Sequence, residues 1–433
     1  MKVRAVRGMK DILPEQTVRW QWLEQQFRTI VERYGYFEVR TPLLEATELF
    51  EKEIGETTDV VEKEMYSFER HDDRLTVRPE GTAGAARAFV QAKAMNQQPI
   101  TRWYYIGPMF RAERPAKGRY RQFHQAGCEI YGDPGPLCDA ELIAMCGKIL
   151  GALGVPNVAI HVNSLGSGGI RERYRDALRD FLLPHKAALS EESQRRLDTN
   201  PLRVLDSKSK QDQQVVADAP SVLELLDEAD TAHFDGVKRH LDALGVDYVV
   251  DDRLVRGLDY YTRTLFELKI TSDELGAQST LIGGGRYDNM VQSLGHKKGV
   301  PAIGFAMGLE RILAMVGETA PLLTPSCYFA PMTAAAEVRC LVLAERLRDA
   351  GIYCEVDGRG TSVKSMMRRA DSMDSRLCLL LGDDELAADE ITIKDLFAGE
   401  QEQVAQDRLL AAVQARLAKA VVKTGKKGAN EDA

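Results

Sequence analysis

The chain has 433 residues, of which 44% are hydrophobic and 28% charged; these are ordinary values for a globular protein and exclude general disorder or a fibrous fold. Its length exceeds what one hydrophobic core usually holds, so two or three domains are expected. The formal net charge of −8 excludes binding of a nucleic acid through the overall field, so such a partner would need local basic patches.

The chain start and the cysteines bear on the compartment. The first fifteen residues lack the apolar core of a secretory signal, and no run of roughly 18 uncharged apolar residues occurs. A soluble cytoplasmic protein without a membrane partner is therefore expected. The seven cysteines are odd in number and contain no Cys-x-x-Cys pair, which argues against a disulfide framework and a zinc ribbon. We expect them to be reduced and mostly packed.

The first predicted element is an amphipathic helix. Apolar residues recur at helical spacing from Trp20 to Tyr34, and Gly35 follows as a natural C-terminal stop. The next apolar run, residues 37–45, is interrupted by Pro42, which removes a backbone donor. This strand is predicted at a sheet edge or an interface, where it could pair with a partner.

Residues 102–111 and 120–132 predict a long antiparallel hairpin around a basic, Pro- and Gly-containing turn. On the returning strand, Phe123, Gln125 and Glu129 would share one face. That face is polar where a core-facing side should be apolar. It predicts a pocket floor, with the solvent-facing side of a hairpin as the alternative.

Arg111 and Glu113 stand at the end of the first hairpin strand. On an extended strand their side chains would point the same way, about 7 Å apart. A guanidinium can neutralise a phosphate, and a carboxylate can accept the exocyclic amine of adenine. The pair therefore suits a nucleotide, with a surface ion pair as the alternative reading.

The middle of the chain changes character. Residues 168–245 are charge-rich, carry helical patterns and predict a helical insertion. Strand patterns return at 248–251, 260–270 and 279–285, which completes a mostly antiparallel α+β core.

Two glycine-containing segments follow in this core. A helix is predicted from Phe305 to Val316, closed by Gly317, which would place Arg311 one turn inside the helix, within reach of a phosphate. Alone, this arginine is weak evidence. The segment GGGRYD (283–288) matches neither a dinucleotide fingerprint nor a P-loop, so a turn is predicted there.

After residue 326, strands and helices alternate and predict a separate C-terminal α/β domain, followed by a polar tail expected to be disordered. Two basic patches, residues 111–121 and 359–376, could each contact nucleic acid or form a solvated surface. The predicted divisions are a catalytic core in two parts, the helical insertion, the C-terminal domain and the tail: 1–166 with 247–322, 167–246, 326–421 and 422–433.

Together these pieces resemble the three signatures of class II aminoacyl-tRNA synthetases. The signatures are a helix and strand ending at Pro42, a hairpin with Arg111-x-Glu113, and a Gly-rich helix with Arg311. Their order and spacing make the resemblance specific.

Within that class, four segments look like the histidine-specific enzymes, the histidyl-tRNA synthetase family. They are VRPEGT (77–82), GPMFRAERP (107–115), GRYRQFHQAGCE (118–129) and LVRGLDYY (254–261). The resemblance spans roughly residues 4–421. It implies an α+β catalytic core on a mostly antiparallel sheet with flanking helices, a helical insertion and a C-terminal α/β anticodon-binding domain.

The resemblance also implies an activity. A homodimer would activate L-histidine with ATP to histidyl-adenylate and pyrophosphate, then transfer histidine to the 3′-terminal adenosine of tRNA(His). Arg111 would hold the α-phosphate of ATP, Glu113 and the ring of Phe123 the adenine, and Arg311 the γ-phosphate. Mg²⁺ would accompany the pyrophosphate, and no protein side chain is assigned as a metal ligand.

By the same resemblance, Glu80, Thr82 and Gln125 would surround the α-amino group of histidine, with Glu129 and Tyr261 at the imidazole. A neutral imidazole has one donor and one acceptor, which a carboxylate and a phenol can satisfy together. Apolar amino acids would leave both unpaired, so no editing domain is needed. The full predicted histidine-binding set is Glu80, Gly81, Thr82, Arg111, Gln125, Glu129, Arg256, Tyr260 and Tyr261.

Arg256 resembles the family's distinctive arginine at the α-phosphate and, with Arg111, is the predicted catalytic residue. Fixed cations there would stabilise charge that builds as the histidine carboxylate attacks. That carboxylate is already ionised near neutral pH, so no side-chain base is proposed. In a regular strand Arg256 and Tyr261 would face opposite ways, so Gly257 is expected to break the strand. The alternative is a turn with an exposed arginine.

Contacts to tRNA are predicted at both basic patches. The hairpin loop 114–121 would lie near the acceptor stem, and a helix at 363–370 would present two cations to anticodon phosphates. The predicted residues are Arg114, Lys117, Arg119, Lys364 and Arg368.

Two rival interpretations remain at this point. One is a non-catalytic paralogue, such as the regulatory subunit that binds histidine beside ATP phosphoribosyltransferase; such proteins lose ATP-site residues and lack the anticodon-binding domain. This chain keeps Arg111, Glu113, Arg256 and Arg311 and has about 100 further residues. The other rival is a class II ligase for a different amino acid, acting on tRNA or a carrier protein.

Overall fold

A computed structural model describes residues 3–55, 58–116, 118–271, 279–316 and 325–419. The chain forms two units, Met1–Pro321 and Leu322–Ala433. In the described ranges no helix is long and apolar enough to cross a membrane. The predicted polar tail lies outside the described residues.

The first unit is built on β-sheets. Its strands, in chain order, are β1 (Phe37–Glu38), β2 (Leu44–Ala46), β3 (Tyr66–Arg70), β4 (Asp73–Val77), β5 (Thr101–Phe110), β6 (Gln122–Tyr131), β7 (Val158–Ser164), β8 (Val249–Val250), β9 (Thr262–Ile270), β10 (Thr280–Arg286) and β11 (Ala302–Gly308).

Among the described residues, eight of these strands form the large sheet in the order β1-β5-β6-β11-β10-β9-β7-β8. Its neighbours are antiparallel except at the two ends, where β1 pairs with β5 and β7 with β8 in parallel. The remaining three strands form a small sheet in the order β2-β4-β3. The predicted mostly antiparallel α+β core is confirmed.

Helices cover this sheet and form its core with it. The helices of the first unit are α1 (Pro14–Arg33), α2 (Thr47–Ile54), α3 (Thr82–Gln91), α4 (Pro136–Ala152), α5 (Ile170–Leu182), α6 (Glu191–Thr199), α7 (Leu202–Leu205), α8 (Lys210–Val216), α9 (Glu228–Ala243), α10 (Met290–Ser293) and α11 (Leu309–Met315).

The N-terminal predictions hold. Helix α1 buries Leu23, Phe27 and Val31 at helical spacing against the main core, as an amphipathic helix must. Strands β1 and β2, on either side of Pro42, each lie at the edge of their sheet, which confirms the predicted edge. The aromatic ring of Phe37 on β1 is largely exposed.

The predicted hairpin is also confirmed. Strands β5 and β6 pair without interruption from Thr101 opposite Tyr131 to Phe110 opposite Gln122. Because successive side chains alternate between faces, Cys128 and its alternate neighbours enter the core, and the other face of β6 is left for a site.

Two local predictions about glycine-containing segments are wrong. Residues 305–308 belong to β11, and helix α11 begins only at Leu309. The segment Gly283–Gly285 lies within β10 and is not a turn. In both cases the strand pairs on both sides in the middle of the sheet, and these backbone hydrogen bonds override local preference. The predicted stop Gly317 lies outside the described residues.

The segment predicted as an insertion is helical from α5 to α9. Tyr174, Leu178 and Leu197 belong to a small hydrophobic core of its own. Helix α9 differs, because Phe234 and Leu241 are buried in the main core. By packing, therefore, α9 belongs to the large sheet, and the helices before it form a second, smaller core within the first unit, to which Val255 also contributes.

The second unit is an α/β domain. Its described strands pair in the order β13-β12-β14-β15-β16, parallel around β12 and antiparallel beyond β14. The hairpin formed by the last two strands was not predicted. The elements of the second unit are β12 (Cys327–Pro331), α12 (Ala334–Asp349), β13 (Cys354–Val356), α13 (Val363–Ser372), β14 (Leu377–Leu381), α14 (Asp383–Ala388), β15 (Glu390–Asp395), β16 (Gln401–Ala405) and α15 (Leu409–Leu417).

All seven cysteines are buried, three in the first unit and four in the second, which confirms that they are packed.

Candidate active site

A cavity opens over the middle of the large sheet, where β6, β10 and β11 contribute its floor. The start of α3, the hairpin loop, the segment 251–261 and the start of α11 complete its walls. The structure thus gathers residues from five distant parts of the sequence. The sequence-predicted residues that line it are Glu80, Thr82, Arg111, Glu113, Arg119, Phe123, Gln125, Arg256, Tyr260, Tyr261 and Arg311.

At one end of the cavity, backbone carbonyls hold two arginines in place. Arg111 Nε donates to the carbonyl oxygen of Pro79 at 2.9 Å. Arg311 Nε donates to the carbonyl oxygen of Gly118 at 3.2 Å, and its Nη1 to that of Thr280 at 3.0 Å. A carbonyl orients a guanidinium without neutralising it, so these contacts preserve positive charge.

The charges at this end repel one another. Burial, followed by repulsion from Arg111, Arg119 and Arg256, lowers the pKa of Arg311 to about 10. Even so, Arg311 remains protonated at neutral pH. A group of partly buried cations is suited to charge-assisted recognition of phosphate oxygens.

Arg256 enters this end from residues 251–261, which contain no regular strand. As expected from the sequence, regular strand geometry does not continue through Gly257, and Arg256 and Tyr261 both line the cavity. Arg256 Nη1 donates to Glu267. Its Nε is buried and has no hydrogen-bond partner in the described structure. This placement contradicts the alternative of an exposed arginine in a turn.

Arg111 and Glu113 are not on an extended strand, because β5 ends at Phe110. The predicted alternation is wrong here, yet the two side chains still approach, with Nη1 and Oε1 3.8 Å apart. Glu113 also pairs with Arg119. The guanidinium carbon of Arg111 lies 5.3 Å from the ring centroid of Phe123. The aromatic ring and the carboxylate together could hold a planar base with an exocyclic amine.

Behind the opposite end of the cavity lies a buried carboxyl group, that of Glu129, which does not itself line the cavity but contacts Tyr287 and Gly304, which do. Glu129 on β6 is fully buried and accepts hydrogen bonds from the phenols of Tyr287, at 2.5 Å, and Tyr105, at 3.3 Å. A side chain at Gly304 would overlap its carboxylate, so only glycine fits there. Burial raises the pKa of Glu129 to about 8. Its carboxyl can therefore hold a proton near neutral pH.

Tyr105 and Tyr287 were missed by the sequence reasoning. Tyr287 lies in GGGRYD, the segment interpreted as a turn, and Tyr105 lies on the first hairpin strand. On β5, Tyr105 stands opposite Gly127 in the hairpin register, which points its phenol at the face of β6 that carries Glu129. That cross-strand register was the signal that could have identified it.

Glu80 does more than the sequence predicted. Its carboxylate accepts from the backbone N–H groups of Thr82, at 2.6 Å, and Ala83, at 2.9 Å, and so caps the start of α3. Burial raises its pKa, although these donors oppose the shift. A side chain at Gly81 would overlap the ring of Tyr105, so Gly81 acts by its size.

Three further predicted histidine contacts stand close by. The rings of Tyr260 and Tyr261 are 4.5 Å apart between centroids, and Tyr260 lies 5.7 Å from the ring of Tyr287. The side-chain oxygen Oε1 of Gln125 is buried without a hydrogen-bond partner in the described structure. Buried polar atoms are normally paired, so this oxygen is suited to a donor on a ligand.

The predicted tRNA contacts are spread over different places. Arg114 is exposed on the hairpin loop, and Lys117 lies outside the described residues. Arg119 lines the cavity and pairs with Glu113, with 39% of its side chain exposed. In the second unit, Lys364 and Arg368 are exposed one turn apart on α13.

No group of three or more His, Cys, Asp or Glu side chains in the described structure could hold a metal ion. A Mg²⁺ ion that arrives on ATP needs few protein ligands, because substrate phosphates and water supply most of its octahedral shell.

Comparison with known proteins gives a consistent result. The family model for histidyl-tRNA synthetase matches residues 8–312, and the anticodon binding domain model matches residues 326–416. The histidine–tRNA ligase of Sorangium cellulosum is 62% identical over 404 residues, covering 93% of this chain and 94% of that protein. That of a Picosynechococcus strain is 46% identical over 411 residues, covering 94% and 96%.

A solved structure shares the architecture. The apo histidyl-tRNA synthetase of S. aureus superposes with a TM-score of 0.79 at 34% sequence identity, covering 95% of this chain and all of that one.

Proposed function

The chain belongs to the histidyl-tRNA synthetase family, and we propose that the cavity over its large sheet is where histidine and ATP react. The activity is that of a histidine–tRNA ligase: histidine and ATP give histidyl-adenylate and pyrophosphate, and histidine then passes to tRNA. The observation that supports the location best is that one cavity holds a group of partly buried arginines and borders, through Tyr287 and Gly304, on a phenol-bound carboxyl.

The arginine end would bind ATP. Arg111 and Arg256 would contact the α-phosphate, and Arg311 the γ-phosphate, because buried cations favour the phosphate charge. Phe123 would stack on adenine, and Glu113 would accept its exocyclic amine. Mg²⁺ would enter bound to the phosphates of ATP.

The carboxyl end would bind histidine. Glu129 and Tyr261 would contact the two imidazole nitrogens. The α-ammonium group of histidine would donate hydrogen bonds to Glu80, Thr82 and the unpaired side-chain oxygen of Gln125. Glu80 can take part because a carboxylate has about four lone-pair sites, and the start of α3 uses two of them. Tyr260 would pack beside the imidazole ring of histidine, and Gly81 would act indirectly, by leaving room for the ring of Tyr105.

The reaction follows from this placement. An oxygen of the histidine carboxylate attacks the α-phosphorus, a new P–O bond forms, and the bond to pyrophosphate breaks. Negative charge that builds on the α-phosphate would be stabilised by Arg111 and Arg256, which are already oriented. The nucleophile is ionised at neutral pH, so the main work of the protein is positioning.

The second step brings in tRNA. The second unit is an anticodon-binding domain, and Lys364 and Arg368 on α13 would contact phosphates of the anticodon arm. Arg114 and Lys117 on the hairpin loop would contact the acceptor end. The position of Arg119 favours a role in the ATP end of the cavity over the predicted tRNA contact. We place these events in the cytoplasm, where tRNA is charged.

A homodimer is proposed from the exposed sheet edges. On edge strand β1, Phe37 is 69% exposed. On edge strand β2, Leu44 is 43% exposed, and Leu43, just before this strand, is 44% exposed. Exposed apolar edge strands tend to pair with other chains, so proteins normally cover them, and a second copy of this chain would do so.

Sedimentation equilibrium should give twice the monomer mass, and Phe37→Lys should shift the equilibrium toward monomers. A monomeric wild-type protein would refute the dimer.

The cavity assignment and the amino-acid specificity are tested by ATP–pyrophosphate exchange with each of the twenty amino acids, with magnesium and without tRNA. Exchange with histidine alone is expected. Exchange with another amino acid would overturn the histidine pocket while keeping the ATP site, and no exchange at all would favour a histidine-binding regulatory paralogue.

A further inference from the structure

Arg256 rests on two residues that face each other across neighbouring strands. Glu267 on β9 and Gly283 on β10 are directly opposite in the sheet register. The guanidinium of Arg256 lies over this pair: Nη1 donates to Glu267, and a side chain at residue 283 would overlap Nη2. We call Glu267 and Gly283 together the seat of Arg256: Glu267 is the anchor, which accepts a hydrogen bond from the guanidinium, and Gly283 leaves the space that the guanidinium occupies.

The anchor itself is fixed from other directions. Lys269 Nζ lies 3.1 Å from Glu267 Oε2, and the hydroxyl of Thr280 donates to the same oxygen at 3.2 Å. Burial alone would raise the pKa of Glu267, but the charges of Arg256 and Lys269 outweigh it and lower the pKa. The carboxylate is ionised, buried and held by both strands.

The seat determines which edge of the guanidinium Glu267 does not use. Arginine presents its N–H groups in a planar fork, and the edge formed by Nε and Nη2 can bind two oxygens of a phosphate. Glu267 occupies Nη1, whereas Nε is buried without a hydrogen-bond partner in the described residues. Glu267 thus orients Arg256 without using the edge that a phosphate needs.

We propose that Glu267 and Gly283 are positioning residues for adenylation, which hold Arg256 with its Nε–Nη2 edge toward the α-phosphate. The inference rests on the proposed catalytic role of Arg256. Glu267 would not touch the substrate, and Gly283, although it lines the cavity, is packed against the guanidinium of Arg256. Their effect would pass through the guanidinium, where a misplacement of about 1 Å can cost roughly 10²-fold in rate.

A double-mutant cycle on ATP–pyrophosphate exchange tests this. Gly283→Ala places a methyl group against the far end of a flexible side chain, so it should displace Arg256 while the fold is retained. The expected result is a kcat about 10- to 10²-fold lower with KM values for ATP and histidine nearly unchanged. In an Arg256→Ala background, Gly283→Ala should cause no further loss.

Glu267 provides a second, independent cycle should Gly283→Ala fail to fold. Glu267→Ala should lower kcat to a similar extent, and Glu267→Gln, which keeps an acceptor, should restore most of it. Both changes should be silent in the Arg256→Ala background. Gly151→Ala is the matched control, because a side chain at residue 151 meets nothing within 4 Å.

Each outcome has one meaning. Losses that add fully in the Arg256→Ala background, or a lowered unfolding temperature that accounts for them, would overturn the positioning role. Near-normal turnover of Gly283→Ala and Glu267→Ala would do the same. If Arg256→Ala itself turned over normally, the proposed catalytic role of Arg256 would fail first, and the two failures are thereby distinguished.

Discussion

The two ends of the cavity are both buried, but burial has opposite consequences there. At the arginine end, burial together with neighbouring cations lowers the pKa of Arg311 to about 10, and the side chain stays charged at neutral pH. At the carboxyl end, burial raises the pKa of Glu129 to about 8, and the side chain can be neutral. The arginine end therefore keeps its positive charge at neutral pH, whereas the carboxyl end can lose its negative charge by binding a proton.

The partners explain this difference. At the first end, Arg111 and Arg311 donate to backbone carbonyls, which orient them without neutralising them, whereas Arg119 and Arg256 pair with the carboxylates of Glu113 and Glu267. Glu129 is oriented by two phenols, which hold it whether or not it carries a proton. A polyphosphate needs the first environment, and an imidazole with one donor and one acceptor needs the second.

The largest expected effect lies at the arginine end. Arg256→Ala should slow adenylate formation by roughly 10² to 10³, since it removes a fixed charge that stabilises the α-phosphate as the reaction proceeds. Rapid-quench measurement of histidyl-adenylate would show it. Exposed Arg408→Ala in the other unit is the control, and near-normal turnover of Arg256→Ala would contradict the assignment.

A smaller effect is expected at the carboxyl end. Glu129→Gln should raise the KM for histidine about 10- to 10²-fold and leave the KM for ATP unchanged. The imidazole of histidine loses its hydrogen bond to a carboxyl group, which can gain or lose a proton, whereas no contact to ATP changes. Steady-state exchange at varied histidine and ATP measures both. Equal increases in the two KM values would show that the ends do not act separately.

The difference in proton affinity gives a third, smaller effect, on stability. Glu129 binds its proton more tightly in the folded protein, so its contribution to folding is fully present at low pH and is lost as pH rises toward about 8. Relative to wild type, the free energy of unfolding of Glu129→Gln should therefore increase by roughly 3 kcal/mol between pH 5 and pH 8. Urea unfolding of both proteins at the two pH values measures this, and a constant difference would argue against the raised pKa.

The smallest effect is expected outside the cavity. Lys364→Ala with Arg368→Ala should raise the KM for tRNA a few-fold, and the difference from wild type should be larger at low salt than at high salt, because the variant makes fewer phosphate contacts and releases fewer counterions. Pyrophosphate exchange without tRNA should not change. A loss of exchange in this variant would mean that the two ends of the cavity depend on the second unit.

Much of this molecule could be predicted from short segments. Alternation along 120–132 predicted the two faces of β6, and apolar spacing predicted α1, because these patterns depend only on strand and helix periodicity. The resemblance of four motifs to one family predicted which residues meet, and the structure gathers Glu80, Arg111 and Arg256 around one cavity. Their individual roles remain proposals.

Other features depended on contacts between distant segments. The triple glycine at 283–285 has weak strand preference by itself, and it is a strand because β9 and β11 pair with it on both sides. The same pairing makes 305–308 a strand although the residues favoured a helix. Tyr105 and Tyr287 became site residues only when the sheet register aimed them at Glu129.

The sequence by itself therefore determined the fold class, the family and the set of charged and aromatic residues at the site, because these follow from local periodicity and motif order. Tertiary structure alone decided that Glu129 is buried between two phenols and that Glu267 and Gly283 seat Arg256. The physical reason is that burial and cross-strand register are properties of the packed sheet, and they set proton affinity and side-chain orientation.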